Sequence, residues 1–344
     1  MVTSIVVTEN EYEKGREIFQ QLESGYQIIT SDSDEKTLAE NITHSSAKAA
    51  IIGSDRYQNQ LYEALSSGGI IARFGVGIDG IDFEKIEKYD LVVANTPHST
   101  DDSVAELTMW LIGDLARMLS YMDKQMRKNS FAGETGKEVK GKHLGIIGFG
   151  NIGKKVARIA SFGFNMKVHG FGHSSRKQIE DRYKLPIDEF NKLFGLETYT
   201  NNIDEILPKC DFVSCHLPLT ENTRGFFDCG KFSQFKEDAY FINTARGGIV
   251  DEMALNAFLG PGKIKGAALD VYNKEPYSPE KGQKDLRFWN RVVLTPHIAS
   301  DTHEANLRMA KAALDNIYHF PLSTLADGNH DDNRSNAHND TEGG

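Results

Sequence analysis

Three polar residues stand just past the ends of apolar runs. Arg246 lies in Asn243-Thr244-Ala245-Arg246-Gly247-Gly248, Glu275 in Asp270-Val271-Tyr272-Asn273-Lys274-Glu275-Pro276, and His297 in Leu294-Thr295-Pro296-His297-Ile298-Ala299. A guanidinium at a strand end can hold a carboxylate and the neighbouring carbonyl oxygen as a planar fork. A histidine and a glutamate together make an acid/base pair. Taken singly, each has an ordinary explanation: a surface salt bridge for Arg246, a turn before proline for Glu275, a hydrogen-bonded strand-end ring for His297. Their weight comes from standing together behind a glycine-rich turn.

That turn is Gly148-Phe149-Gly150-Asn151-Ile152-Gly153. Leu144, Ile146 and Ile147 read as a buried strand ahead of it. Ile152, Val156, Ile159 and Ala160 recur at helical spacing behind it, with Lys154, Lys155 and Arg158 facing away. The first glycine permits the turn, the second lets backbone approach a pyrophosphate, and the third lets helix pack on strand. The phosphates then meet the free N–H groups of the helix N-terminus.

Short apolar runs alternate with helical patterns along the whole chain, which predicts parallel sheets of an α/β protein. The first series is Ile5–Val7, Ile28–Ile29, Ala49–Ile52, Ile70–Ala72 and Leu91–Ala94. The second, after the glycine turn, is Met166–Phe171, Phe212–His216, Tyr240–Asn243, Ala267–Val271 and Val292–Thr295. Between them, Val104–Met122 is apolar almost all round and must be covered on several sides. Lys124–Lys142 reads as a polar connection, and a last helix near Glu304–Tyr318 returns to the first domain. From Asp327 to Gly344 there is no large apolar residue, so that tail is expected to be disordered, with His330 and His338 merely solvated.

At 344 residues and 39% hydrophobic content, two domains are the default. A net charge of −10 excludes generic binding to nucleic acid or anionic membranes. Met1–Glu9 has no secretory pattern and no run is long enough to span a bilayer, so a cytoplasmic protein is expected. Cys210, Cys215 and Cys229 lack metal or disulfide spacing and read as small buried residues. No metal is expected. The Asn41-Ile42-Thr43 sequon has no route to glycosylation in that setting.

With these segments in hand, the chain closely resembles the D-isomer-specific 2-hydroxyacid dehydrogenases. Their GxGxIG turn, NxARG segment, DVxxxEP and TPHIA all occur here in order and spacing. Gly75-Val76-Gly77-Ile78-Asp79-Gly80-Ile81-Asp82, Asn95-Thr96-Pro97 and Val104-Ala105-Glu106-Leu107 are similar to the family's substrate-domain signatures. The resemblance spans roughly Ile70 to Met309. It implies two Rossmann-like doubly wound domains with a cleft between them. The substrate domain would be flavodoxin-like and built from residues 1–103 and 299–326, the NAD(P)-binding Rossmann domain from 104–298.

Carried onto matching residues, the resemblance implies that Arg246 binds the substrate carboxylate and carbonyl, with Val76 and Gly77 offering amides and Arg73 nearby. His297 would protonate the carbonyl oxygen as hydride arrives, and Glu275 would hydrogen-bond His297 and favour its charged form. Gly148, Gly150, Asn151, Ile152 and Gly153 would cradle the cofactor, with Leu217, Pro218, Thr244 and Ala245 along it and Asp270 at the nicotinamide carboxamide. His216 reads as a strand-end residue without chemical duty. Glu275 also separates this chain from the formate dehydrogenases, which carry Gln there.

Two departures refine the expectation. The strand after the turn ends in Gly172-His173-Ser174-Ser175-Arg176-Lys177 rather than in an aspartate, which suits a 2′-phosphate and predicts NADP over NAD. Arg73 matches a phosphate-binding arginine of phosphoglycerate dehydrogenases, but Gly53 stands where their second is expected, with Arg56 close by, and their C-terminal regulatory domain has no counterpart. A small unphosphorylated 2-oxo acid such as glyoxylate or hydroxypyruvate fits as well as 3-phosphoglycerate. A homodimer formed through the Val104–Met122 helix is expected. The rival reading is a dinucleotide-sensing protein resembling the C-terminal-binding corepressors, which share the fold and keep the Arg, Glu and His.

Overall fold

The computed structural model describes residues 2–65, 68–260 and 262–320, and the expected tail from Asp327 lies outside them. The chain divides into two compact units at Thr100/Asp101 and Ala299/Ser300.

The first unit alternates strand and helix: β1 Thr3–Thr8, α1 Glu9–Phe19, β2 Tyr26–Ser31, α2 Glu35–Ser45, β3 Ala49–Ile52 and α3 Gln60–Leu65. β4 Ile70–Arg73, α4 Phe83–Lys88 and β5 Val92–Ala94 follow. The strands pair in parallel in the order β2-β1-β3-β4-β5, the flavodoxin-like doubly wound order. Side chains of β1 alternate between two cores, Ile5 and Val7 on one face and Val6 on the other. Both faces are therefore covered, which is why these strands read as continuous apolar runs.

The second unit opens with α5 Asp101–Arg117 and α6 Leu119–Arg127. Then come β6 His143–Ile147, α7 Asn151–Arg158, β7 Lys167–Phe171, α8 Arg176–Tyr183, α9 Ile187–Phe194 and β8 Leu196–Thr200. β9 Phe212–Cys215, α10 Cys229–Ser233, β10 Ala239–Asn243, α11 Glu252–Leu259, β11 Ile264–Leu269 and β12 Val292–Leu294 complete it. Its sheet runs β12-β11-β10-β9-β6-β7-β8, all parallel. The order reverses between β6 and β9, so the crevice at their carboxyl ends, where open α/β sheets take ligands, lies beside the glycine turn. The final helix, α12 His303–Tyr318, returns to pack in the first unit's core through Ala305, Met309 and Ala313.

Three expectations are corrected. The apolar stretch Val104–Met122 is two helices, broken at Met118 with φ 54°, and α6 runs into the segment read as polar connection. The Asp114 carboxylate takes the Ser120 amide at 2.9 Å and so caps the second helix. Hydrophobic spacing reads straight through such a break. β8 escaped notice because Leu196-Glu197-Thr198-Tyr199-Thr200 is an edge strand with exposed polar residues. Cys229 is exposed, unlike Cys210 and Cys215. No helix among the described residues is long and apolar enough to cross a membrane.

Candidate active site

The glycine turn joins β6 to α7. Gly148 has φ 104°, and a Cβ there would fall 2.5 Å from the His216 carbonyl, so the turn needs glycine both for its backbone angle and for its contact with the next strand's loop. A Cβ on Gly153 would come 2.4 Å from the Gly148 oxygen, which is the helix–strand packing constraint. Gly150, the N-cap of α7, has nothing within 4 Å of where its Cβ would be. The residues thus fit a dinucleotide: an open approach over Gly150 leads to the first amides of a helix, with Asn151 and Ile152 behind it. Leu217 is buried and Pro218 exposed, its carbonyl accepting from Thr223 Oγ1 at 2.6 Å. His216 is held by Ser214 Oγ at 2.9 Å, and burial pushes its pKa down to about 3, leaving it neutral.

At the end of β7, two of the expected phosphate donors have local work. Ser175 caps α8 in a reciprocal capping box with Gln178, and Arg176 Nε reaches Glu180 Oε1 at 3.2 Å. Ser174 lends its carbonyl to the Tyr199 hydroxyl at 3.0 Å, and His173 packs edge-on to Phe171. A Cβ on Gly172 would come 2.5 Å from the Tyr199 hydroxyl, so a side chain there would have to displace that ring. Neither the side-chain packing nor the cap could be read from composition.

Arg246, Glu275 and His297 all belong to the second unit and sit on loops after β10, β11 and β12. Asn243 shapes the first loop, accepting the Ala245 amide and donating to the Arg246 carbonyl, each at 3.0 Å. Arg246 Nη1 donates to the Ala245 carbonyl at 2.8 Å, and Thr244 is fixed from α5 by a 3.0 Å contact with the Thr108 hydroxyl. His297 Nδ1 donates to Glu275 Oε2 at 2.7 Å, which turns Nε2 to the other side of the ring, and Glu275 Oε1 accepts the Tyr272 amide at 3.0 Å. Burial works against the Glu275 carboxylate, but the hydrogen bonds from His297 and Tyr272, with the Arg246 charge, hold its carboxyl below the usual glutamate range.

Asp270 does something the motif did not disclose. It is fully buried, and its carboxylate accepts from Thr295 Oγ1 at 2.6 Å, the Ile298 amide at 2.9 Å and the Ala299 amide at 2.8 Å. These groups flank His297, whose φ of 54° is unfavourable for a residue with a side chain. Asp270 therefore braces the loop that carries His297. The Tyr272 hydroxyl bonds the Thr295 carbonyl at 2.8 Å and ties the same loop to the one bearing Glu275.

In the first unit, Gly75–Gly77 follows β4. Gly75 donates to Thr96 Oγ1 at 3.1 Å, and Asn95 Nδ2 holds the Val76 carbonyl at 2.8 Å, which sets the peptide planes of Val76 and Gly77. Arg73 bonds the Phe74 carbonyl, and Gly53 faces the Glu11 carboxylate, 2.3 Å from where a Cβ would stand.

The comparisons with known proteins agree with this chemistry. The family model for the NAD-binding domain of D-isomer specific 2-hydroxyacid dehydrogenases matches residues 109–299. The hydroxypyruvate reductase of Thermotoga maritima is 34% identical over 292 residues, covering 84% of this chain and 90% of its own. The glyoxylate reductase of Thermofilum pendens is 35% identical over 286 residues, covering 81% and 79%. The solved structure of the pyruvate reductase of Chlamydomonas reinhardtii superposes with a TM-score of 0.76 at 25% identity, covering 95% of this chain and 98% of that one. The chain belongs to the D-isomer-specific 2-hydroxyacid dehydrogenase family. It is an NAD(P)-dependent oxidoreductase that interconverts 2-hydroxy and 2-oxo acids.

Proposed function

We propose that the protein reduces a small unphosphorylated 2-oxo acid, with His297 as the general acid and Arg246 as the anchor for substrate. The observation that carries the reading is the 2.7 Å bond between His297 and an ionised Glu275, within the field of Arg246. A bound nicotinamide dinucleotide supplies the hydride. Arg246 holds the carboxylate and polarises the carbonyl. His297 gives its proton to the carbonyl oxygen, and Glu275 stabilises the imidazolium beforehand. Asp270 keeps the loop that carries His297 in place. Oxidation of the hydroxy acid runs the same steps backwards.

Glyoxylate and hydroxypyruvate are favoured over 3-phosphoglycerate. Arg73 is partly engaged with backbone, and the place of a second phosphate-binding arginine is taken by Gly53 against Glu11. The sister activities of the Thermotoga and Thermofilum relatives point the same way. NADP is preferred over NAD because Gly172 supplies no carboxylate to repel a 2′-phosphate, and His173, Ser174 and Lys177 remain to meet one. A homodimer accounts for Trp110, Leu119, Met126 and Phe131, large apolar side chains exposed on or beside α5 and α6. Three free thiols accord with a reducing, cytoplasmic setting.

The test is oxidation of NADPH and NADH against a panel of 2-oxo acids, for the protein and two variants. His297→Ala should lower turnover by about 10² to 10⁴. Arg246→Ala should also raise KM for the oxo acid, and both should still bind cofactor. Near-normal turnover by His297→Ala at saturation would overturn the mechanism.

A further inference from the structure

Glu252 is the first residue of α11, a position where a carboxylate normally faces solvent near the helix dipole. Here it is turned inward and only 6% exposed. Burial pushes its carboxyl above the ordinary glutamate range, with a hydrogen bond from the Asn273 amide pulling the other way. A buried carboxyl is costly unless a partner repays it. The cap of the helix is not the reason, since Asp251 already takes the Met253 and Ala254 amides.

Its partner is the Asn273 amide, 2.8 Å from Oε1. The preceding amide, that of Tyr272, goes to Glu275. Two consecutive N–H groups are thus held by two glutamates, one inside the turn and one from α11. Lys274, Glu280 and Lys281 line the same groove as Glu252; the Glu280 and Asp251 charges push its carboxyl further up, and the Gln283 side chain acts with the Asn273 amide in the opposite sense.

We propose that Glu252 is a positioning residue for the acid–base pair: by fixing the Asn273 amide it holds the Tyr272–Pro276 turn so that Glu275 meets His297. The proposal rests on the reading of His297 and Glu275 given above. Glu252 touches neither substrate nor cofactor in this scheme.

The test compares Glu252→Met, which fills the volume without an acceptor, with Glu252→Gln, which keeps one. kcat against pH, KM, cofactor binding and Tm are measured beside Glu275→Gln. Glu252→Met should lower kcat about tenfold, the equivalent of one lost hydrogen bond. It should also move the alkaline limb of reduction toward lower pH, as Glu275→Gln does, with cofactor binding unchanged. Glu252→Gln should stay within about twofold of the unmodified protein. If Glu252→Met loses Tm but keeps both kcat and the pH limb while Glu275→Gln moves it, Glu252 is only structural and the proposal falls. If Glu275→Gln leaves the limb unmoved, the acid–base reading fails and takes the proposal with it.

Discussion

Gly247 lies against Tyr272 so closely that a Cβ on the glycine would fall 1.9 Å from the tyrosine's carbonyl carbon. The loop that carries Arg246 and the loop that carries Glu275 are therefore in backbone contact, and the spacing between guanidinium and carboxylate depends on the missing side chain. Backbone on both sides leaves no flexible group to yield.

Gly247→Ala should consequently lower Tm and cut kcat/KM by tenfold or more, as overpacking costs on the order of 1–3 kcal/mol even where side chains can shift. Gly248→Ala is the control, since its Cβ would meet only the Leu219 and Arg224 side chains at 3.2 Å or beyond. Equal effects of the two substitutions would refute the backbone argument.

Glu275→Gln removes the charge that favours imidazolium at His297 while leaving a hydrogen-bonding side chain. Reduction needs a protonated ring, so its alkaline limb should move to lower pH and kcat should fall at neutral pH. The native carboxyl is held below the usual glutamate range, so the unmodified enzyme should keep its acid side until pH drops through that depressed value. A profile of kcat from about pH 3 to 9 decides it, and an unmoved alkaline limb would show that Glu275 does not support the ring's charge.

NADPH should be preferred over NADH by about tenfold in kcat/KM, the scale of one charge-assisted hydrogen bond. Gly172→Asp by itself is a poor reversal because its Cβ meets the Tyr199 hydroxyl at 2.5 Å; pairing it with Tyr199→Phe removes that atom and leaves the nearest ring carbon at 3.3 Å. The double variant should favour NADH. Equal use of both cofactors by the unmodified protein would mean the basic loop faces solvent.

Trp110 is 68% exposed, so Trp110→Glu should cost little within one subunit. Light scattering at micromolar concentration should give twice the chain mass for the unmodified protein and a shift toward the single mass for Trp110→Glu, more so with Leu119→Asp. A protein that is monomeric before mutation would remove the dimer from the reading.

His169, 7% exposed, touches His143 at 2.8 Å and Thr198 at 3.0 Å, and burial pushes its pKa from 6.5 to about 4. The unfolded chain then binds the extra proton first. Stability from this group is complete above about pH 6.5 and drains away as pH falls toward 4, by on the order of 3 kcal/mol. Urea midpoints at pH 7 and 5 should therefore differ more for the native protein than for His169→Gln. His216 acts with the same sign from the same upper limit down to about pH 3, so the difference between the two proteins, rather than either slope, is the measurement.

The sequence by itself determined the class of fold and most of the strand series, β8 excepted, and it singled out the glycine turn and Arg246, Glu275 and His297 as candidates. Apolar period, glycine spacing and the order of the motifs are local properties of a chain. Tertiary structure decided how those residues are held. The break at Met118 depends on an Asp114 carboxylate six residues before the amide it caps. Asp270 braces a histidine loop through groups 25 to 29 residues away, and Glu252 reaches an amide 21 residues on. Arg176 and Ser175 look like phosphate donors in composition yet have partners once α8 forms. Hydrogen-bond partners distant in the chain, and the contact between Gly247 and Tyr272, leave no period or spacing to read, because they exist only after two separate strands have been laid in one sheet.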